Sequence, residues 1–526
     1  MSSPGSDLFP DDPDGNRPLV TVARNVSTIY VAVIVDAILG LLILPFNVAH
    51  LGTAAYGLWA LTASVTSHYS VLDLGYGSAL VKYIAHYRAR RDARALNEIA
   101  STLFFVFAIL SCVAYGAGVL VAFHLDTLFN LTAEQAATGK WVLLIIGVNA
   151  ALNFPFSIFG GVVTGFQRQH INAYVAITSS VLVVITNVFM LTAGYGLVAL
   201  VLATTVVRVL TYVAYASNAY RVFPALHLSP ALFRRERLKE VTGFSIYSSI
   251  IDWSYKLNYQ IDPIVVGAFL GAAPVAAWAV ADRIVTATQN LTGQLNTVLF
   301  PVIVDSDASD QSERLRQILL EGTRLSLATV MPIATALIVL ADPLVRAWVG
   351  TAKPELLNSV IVLQILMLAV AIRVGNGTAT MVLKGAGQHR FLAYVNMATG
   401  LANLALSVVF VRYWGLAGVA LGTLLPIAFS AFVVLQPAAC RRVGLPIRTA
   451  IVRSMLPAIW PALVVGAVLV LARNAMPLVL VAVLAQMAFG GLLYLALFIF
   501  AIGAHDRAMY TAKVLELFGR RLAPAA

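Results

Sequence analysis

Charge is what this chain has least of. Asp, Glu, Lys and Arg make up 11% of its 526 residues, against 60% hydrophobic residues. Soluble domains carry about 25% charged residues, so water would leave this surface unsolvated. Long stretches hold almost nothing ionisable. Val26 to His50 contains a single charge, Asp36, and Ile171 to Val207 contains none. Runs of about 20 apolar residues are what a bilayer core asks of a helix. The period-2 alternation of a membrane β-barrel is absent. The expectation is an all-α polytopic membrane protein.

Other absences narrow the function. Two cysteines, Cys112 and Cys440, give no disulfide framework and no thiolate metal site. Residues 1–23 read as a disordered, polar cytoplasmic tail: Asp7, Asp11, Asp12 and Asp14 stand where a signal peptide would have its apolar core. The chain has no GxxxxGK[ST] phosphate loop, no HExxH and no Gly-rich dinucleotide fingerprint. No catalytic residue, metal or cofactor is therefore expected, and the chain reads as a non-enzyme. Any energy source would be a proton or sodium gradient. The net charge of +11 is no sign of nucleic acid, because the basic residues lie between apolar spans and not on one face.

The apolar runs give about 14 spans: 26–49, 55–81, 99–123, 141–164, 171–193, 196–217, 241–267, 272–302, 318–341, 356–383, 391–411, 414–437, 454–472 and 477–503. Most of the 35 Lys and Arg fall on one side of this arrangement, in loops such as those holding Arg90, Arg235, Arg316 and Arg442. The other side has Lys140, Arg346, Lys353, Arg412 and Arg473. Positive loops stay inside, so both termini are expected in the cytoplasm.

Two parts of the chain resemble each other at an offset of 219 or 220 residues. Leu51-Gly52 and Trp59-Ala60 recur as Leu270-Gly271 and Trp278-Ala279. Gly165 with Ala173-Tyr174-Val175 recurs as Gly385 with Ala393-Tyr394-Val395. Gly196-Leu197 and Thr204 recur as Gly415-Leu416 and Thr423. The repeat unit holds six spans, so both copies enter the membrane in the same direction. The expected plan is two parallel six-helix repeats forming two lobes around a central cavity, plus two C-terminal helices. In order these are a tail (1–23), an N-lobe (24–220), a basic cytoplasmic linker (221–240), a C-lobe (241–440), the last two spans (441–503) and a cytoplasmic tail (504–526).

Ionisable groups inside spans cost about 2.5–3.5 kcal/mol each on insertion scales and usually face a polar interior. Ser245, Ser249, Asp252, Lys256, Tyr259 and Pro263 follow helical spacing and share one face. Asp282, Thr286, Gln289, Gly293 and Asn296 do the same, flanked by Arg283 and Asn290. In the first repeat, Arg24, Thr28, Asp36 and Gly40 form a sparser stripe, and Trp59, Thr62, Thr66, Tyr69 and Asp73 another. Arg373 has no acidic residue within a helical turn. The substrate-binding candidates are Arg24, Asp252, Lys256, Tyr259, Arg283, Gln289, Asn290, Asn296 and Arg373. Asp36, Asp73 and Asp282 are candidates for coupling or gating. Asp252 and Lys256 could equally neutralise each other, Asp73 could cap a helix, and Arg208 reads as an interfacial side chain that snorkels. Gly161 and Gly165 read as helix-packing contacts.

The stretch Leu51-Gly52, Tyr56-Gly57-Leu58-Trp59 and Leu72-Asp73-Leu74-Gly75-Tyr76-Gly77-Ser78-Ala79-Leu80, continuing through Ala85, Asp92 and Leu96-Asn97, resembles the opening of bacterial polysaccharide flippases. These are the O-antigen and exopolysaccharide transporters of the multidrug/oligosaccharidyl-lipid/polysaccharide superfamily. The resemblance implies a V-shaped alternating-access transporter in the bacterial inner membrane. The implied substrate is an undecaprenyl-pyrophosphate-linked oligosaccharide, moved from the cytoplasmic to the periplasmic leaflet for surface polysaccharide synthesis. Its partners would be this lipid-linked glycan, membrane lipid, a glycan polymerase and glycosyltransferases. Three alternatives stay open: a peptidoglycan-precursor flippase, a drug or organic-cation antiporter of the same superfamily, and a non-transporting scaffold for glycan assembly.

The charge asymmetry makes a direct prediction. In a chain carrying C112S and C440S, a cysteine introduced by R235C is expected to resist a membrane-impermeant maleimide in intact cells and to react after permeabilisation. Labelling from outside would invert the topology.

Overall fold

The computed structural model describes residues 18–73, 75–309, 311–350, 353–473 and 477–502. The expected tail at 504–526 and residues 1–17 of the expected tail at 1–23 lie outside the described residues, whereas residues 18–23 are helical and not tail. Among those described, all regular structure is helical. The longer helices are α1 (Pro18–Leu51), α2 (Thr53–Ser67), α3 (Tyr76–Ala89), α4 (Ala93–Phe123), α5 (Ala133–Gly165), α6 (Gln169–Thr192), α7 (Leu197–Val222), α8 (Arg235–Tyr259), α9 (Asp262–Leu270), α10 (Ala272–Thr292), α11 (Gln294–Ala308), α12 (Ser312–Val339), α13 (Ser359–Gly375), α14 (Gly377–Gly385), α15 (His389–Phe429), α16 (Leu456–Ala472) and α17 (Leu480–Ala501).

Ten helices among the described residues are long and apolar enough to cross a bilayer, so the chain is a multi-pass membrane protein. One of them, His389–Arg442, is kinked at Gly415, where φ is +55°. That break separates the expected spans 391–411 and 414–437. The expected spans 55–81, 241–267 and 272–302 are each interrupted: α2 from α3, α8 from α9, α10 from α11.

The chain divides into two compact units. The first holds residues 1–283, 353–358 and 393–423, and the second holds 284–352, 359–392 and 424–526. In the first, α5 packs on α4, α7, α3 and α2, while α6 packs on α1 and α7. The core of this unit gathers Leu80, Ile84, Leu96, Ile99, Leu103, Phe107, Ile158, Val162 and Phe223. Gly161 and Gly165 let α3 approach α5. A Cβ on Gly165 would fall 2.5 Å from Ile84 Cγ2, and one on Gly161 would overlap Leu80.

Polar residues of the resemblance motif are spent on local geometry. Gly75 takes φ +72° ahead of α3, a conformation that costs most residues about 1–2 kcal/mol. Asp73 Oδ1 accepts from Gly77 N at 3.2 Å, in the manner of a helix cap. Asp92 caps α4 by accepting from Ala95 N at 2.9 Å. Asn97 grips the linker, donating to Ala225 O at 2.8 Å and accepting from His227 N at 2.9 Å. Glu98, only 8% exposed, pairs with Arg94 and Arg237, each at 3.2 Å.

The repeat reappears as backbone geometry. Gly52 and its counterpart Gly271 have φ of +82° and +89°. Two residues past Gly165 and Gly385, Gln167 and Gly387 have φ of +61° and +73°.

In the second unit α12 is central, packed by α11, α13, α14, α16 and α17. Tyr494 of α17 is fully buried and donates to Ala458 O of α16 at 2.9 Å. Arg442 Nη2 reaches Asp307 Oδ1 at 2.7 Å, tying the basic loop to α11.

The α3–α5 contact sets an expected outcome. G165V should destabilise the folded protein by about 1–3 kcal/mol, the range for overpacking a tight contact. A thermal-shift measurement in detergent checks this. An unchanged midpoint would mean that the helices can separate at no cost.

Candidate functional site

The first unit contains a cavity of about 460 Å³ between α1, α2, α5, α6 and α7, with Arg283 of α10 on its wall. Three charges line it: Asp36, Arg208 and Arg283. So do three carboxamides, Asn47, Asn149 and Asn187, and four hydroxyls, Ser179, Ser180, Thr204 and Thr205. Tyr56 and Trp59 supply aromatic faces. Asp36, Arg208 and Arg283 sit near the middle of their helices, where a charge exposed to lipid is most expensive. A shared polar cavity removes that cost.

Arg283 and Asp36 meet there. Arg283 Nη2 donates to the Asp36 main-chain oxygen at 2.8 Å and reaches Oδ2 at 3.5 Å. Ser180 of α6 donates to Asp36 Oδ1 at 3.4 Å. The guanidinium lies against Gly40, one turn on from Asp36, where a Cβ would overlap it. The wall is braced by Thr211 Oγ1 donating to Ser179 Oγ at 2.8 Å and by Tyr212 Oη donating to Asn149 Oδ1 at 3.0 Å. Asn47 and Asn187 are each 3% exposed, and their Oδ1 atoms accept no hydrogen bond among the described residues. Buried acceptors of this kind normally have a partner.

Of the residues singled out from the sequence, the cavity brings together Asp36 and Arg283. Arg24 lies twelve residues before Asp36 on α1 and is not in the lining. Lys256, Asp282 and Asp73 also lie outside the lining, and Gln289, Asn290 and Arg373 belong to the second unit. The side chains of Asp252, Tyr259 and Asn296 lie outside the described residues. Arg208 is a departure from the sequence reading: it lines the cavity, with no hydrogen bond or ion pair among the described residues.

A second buried group carried no sequence signal. Asp262 opens α9 and is 3% exposed. Its Oδ2 accepts from Thr423 Oγ1 at 2.9 Å, and its Oδ1 has no partner among the described residues. Around it Asn403 donates to Asn258 O at 2.9 Å and Ser407 donates to Asn403 Oδ1 at 2.9 Å. Asp262 precedes Pro263, a pair that reads from sequence as an ordinary helix start.

With the geometry in place, comparison with known proteins decides the family. The sequence profile of the family described as polysaccharide biosynthesis protein matches residues 22–307. The chain belongs to that family. The MatE profile matches residues 245–409. The uncharacterized membrane protein EpsK of Bacillus subtilis (strain 168) is 23% identical over 338 residues, covering 62% of this chain and 65% of EpsK. The chain thus matches less than two thirds of the length of that relative.

Among solved structures, the lipid II flippase MurJ in an inward closed conformation superposes with a TM-score of 0.71 and 16% identity, covering 89% of this chain and 97% of MurJ. An inward-facing multidrug resistance MATE family transporter of the MOP superfamily gives 0.60 and 19%, covering 81% and 98%. This member of the polysaccharide biosynthesis family therefore has the fold of those transporters.

The Gly40 contact provides a test with little structural damage. An ion pair this exposed is worth at most about 1 kcal/mol, so G40A should leave thermal stability nearly unchanged while pushing the guanidinium away from Asp36. The transport activity of G40A, measured in proteoliposomes, should fall to the level of R283Q. Full activity in G40A would show that the position of Arg283 is immaterial.

Proposed function

We propose that this chain is a flippase for a lipid-linked oligosaccharide, carrying its head group from the cytoplasmic to the outer leaflet of the bacterial inner membrane. The observation that carries the reading is the first-unit cavity, with two guanidiniums and one carboxylate placed at mid-helix and unpartnered amide oxygens toward the helix ends. A diphosphate leaving water needs Arg or Lys partners, and Arg208 and Arg283 supply them. Sugar hydroxyls need amide partners, and Asn47, Asn149 and Asn187 line the cavity. Tyr56 and Trp59 offer faces for sugar rings. At about 460 Å³ the cavity falls in the range of small-molecule sites, enough for part of a head group while the lipid tail stays in the bilayer.

The polysaccharide biosynthesis family supports this reading, and the fold shared with the lipid II flippase MurJ supports a peptidoglycan precursor as the second candidate. A drug or organic-cation antiporter is favoured by Asp36 alone and disfavoured by the two arginines. For coupling, Asp262 is a stronger candidate than Asp36. It is a buried carboxylate with one oxygen unpartnered, and burying such a charge is costly unless a proton or small cation neutralises it. Asp36 already has Ser180 and Arg283. In this reading the termini are cytoplasmic and no catalysis takes place.

Depletion of the protein tests the proposal. The expected result is accumulation of a lipid-linked oligosaccharide on the inner leaflet. Accumulation of the peptidoglycan precursor instead would transfer the assignment to that substrate, and no accumulation of either would overturn flipping. R208Q and R283Q should each weaken head-group binding about ten-fold, the scale of one charge-assisted hydrogen bond, with R283K milder than R283Q and protein levels unchanged.

A further inference from the structure

The second unit has a cavity of its own, about 400 Å³, that head-group transport leaves unused. It lies among the first half of α12, the turn leading into α16 and the last residues of α17. Gln317, Glu321, Arg324, Arg453, Pro457 and Ala501 line it. Gln317, Glu321 and Arg324 are spaced by four and three, so α12 presents them on one face. Arg324 is only 7% exposed. Arg453 lies on a π-helical turn over Ile451–Met455, a widening of the helix found often at functional sites. It makes no hydrogen bond or ion pair among the described residues.

The surface beside this cavity is apolar. Ile451, Val452, Leu456, Ile499 and Phe500 are 46%, 49%, 50%, 48% and 71% exposed, which in a membrane places them against acyl chains. The same end of the helices carries the loop with Arg441, Arg442 and Arg448, and the positive-inside rule puts that end in the cytoplasmic head-group layer. A ligand here must be anionic at one end and apolar at the other. Two guanidiniums against one carboxylate leave a net charge of about one unit, which matches a phosphodiester better than a diphosphate.

We infer that this pocket binds the phosphodiester of an anionic phospholipid of the cytoplasmic leaflet, with Arg324 and Arg453 as its charge partners and the acyl chains along the exposed face of α16 and α17. Basic pockets between transmembrane helices on the cytoplasmic side are suited to this role. The inference does not depend on what the first-unit cavity carries.

Native mass spectrometry of the full chain in detergent tests it, with phosphatidylglycerol, phosphatidylcholine and a prenyl diphosphate as probes. The wild-type chain should retain phosphatidylglycerol over phosphatidylcholine. R453Q, at an exposed position, should weaken phosphatidylglycerol binding about five-fold, the scale of one basic residue at a membrane surface. E321Q should strengthen it, a gain that damage to the fold would not produce. Unchanged phosphatidylglycerol binding in both variants, or a loss in both, would overturn the site. Loss of prenyl diphosphate binding in R453Q with phosphatidylglycerol binding intact would overturn the phosphodiester assignment.

Discussion

Hydrocarbon offers no hydrogen bonds, and the rest of this structure follows from that. Every backbone polar group inside the bilayer must find its partner within the protein, so the chain is helical wherever it crosses. Where a helix is broken, glycine or a capping carboxylate takes over the exposed ends: Gly52, Gly75, Gly271, Asp73 and Asp92. The same rule governs side chains. Glu98 is paired with three arginines, and Asp36 is held by Arg283 and Ser180. Unpaired polar atoms then stand out, among them Asn47 Oδ1 and Asn187 Oδ1 at the first-unit cavity and Asp262 Oδ1.

Close approach is the second theme. Gly161 and Gly165 bring α3 onto α5, and Gly40 leaves space for a guanidinium. In each case the missing side chain serves a neighbour: aliphatic in the first two, cationic in the third. The first kind holds the unit together, and the second positions a charge.

Much of this was legible in the sequence. Apolar run length gave the helices and the membrane, because a long stretch with one charge has few other solutions. The repeat was legible in part because one glycine pair is a backbone requirement: Gly52 and Gly271 both adopt positive φ. The cavity was legible only in part. Asp36 and Arg283 stood out as charges inside apolar spans, but nothing in the order of residues says that they meet. Arg208 was read as interfacial and lines the cavity; a lone arginine in an apolar helix looks the same whether it faces head groups or a polar hollow. Asn47 and Asn187 gave no signal, because an unpartnered acceptor is a property of three dimensions. Asp262 was hidden by the proline after it.

The interrupted segments bear on how the protein is made. Ten described helices satisfy a translocon's demand for a long apolar stretch, but the stretch from α8 to α9 is broken, and α8 carries Glu236, Lys239, Asp252 and Lys256. Charged residues of this kind oppose insertion of an isolated helix. The start of that segment is gripped by α3 and α4, through Tyr76 to Thr242, Tyr87 to Arg237 and Glu98 to Arg237, so helices made earlier offer a surface for its entry. Biogenesis of the second repeat would then be templated by the first, with the order of synthesis setting the order of assembly.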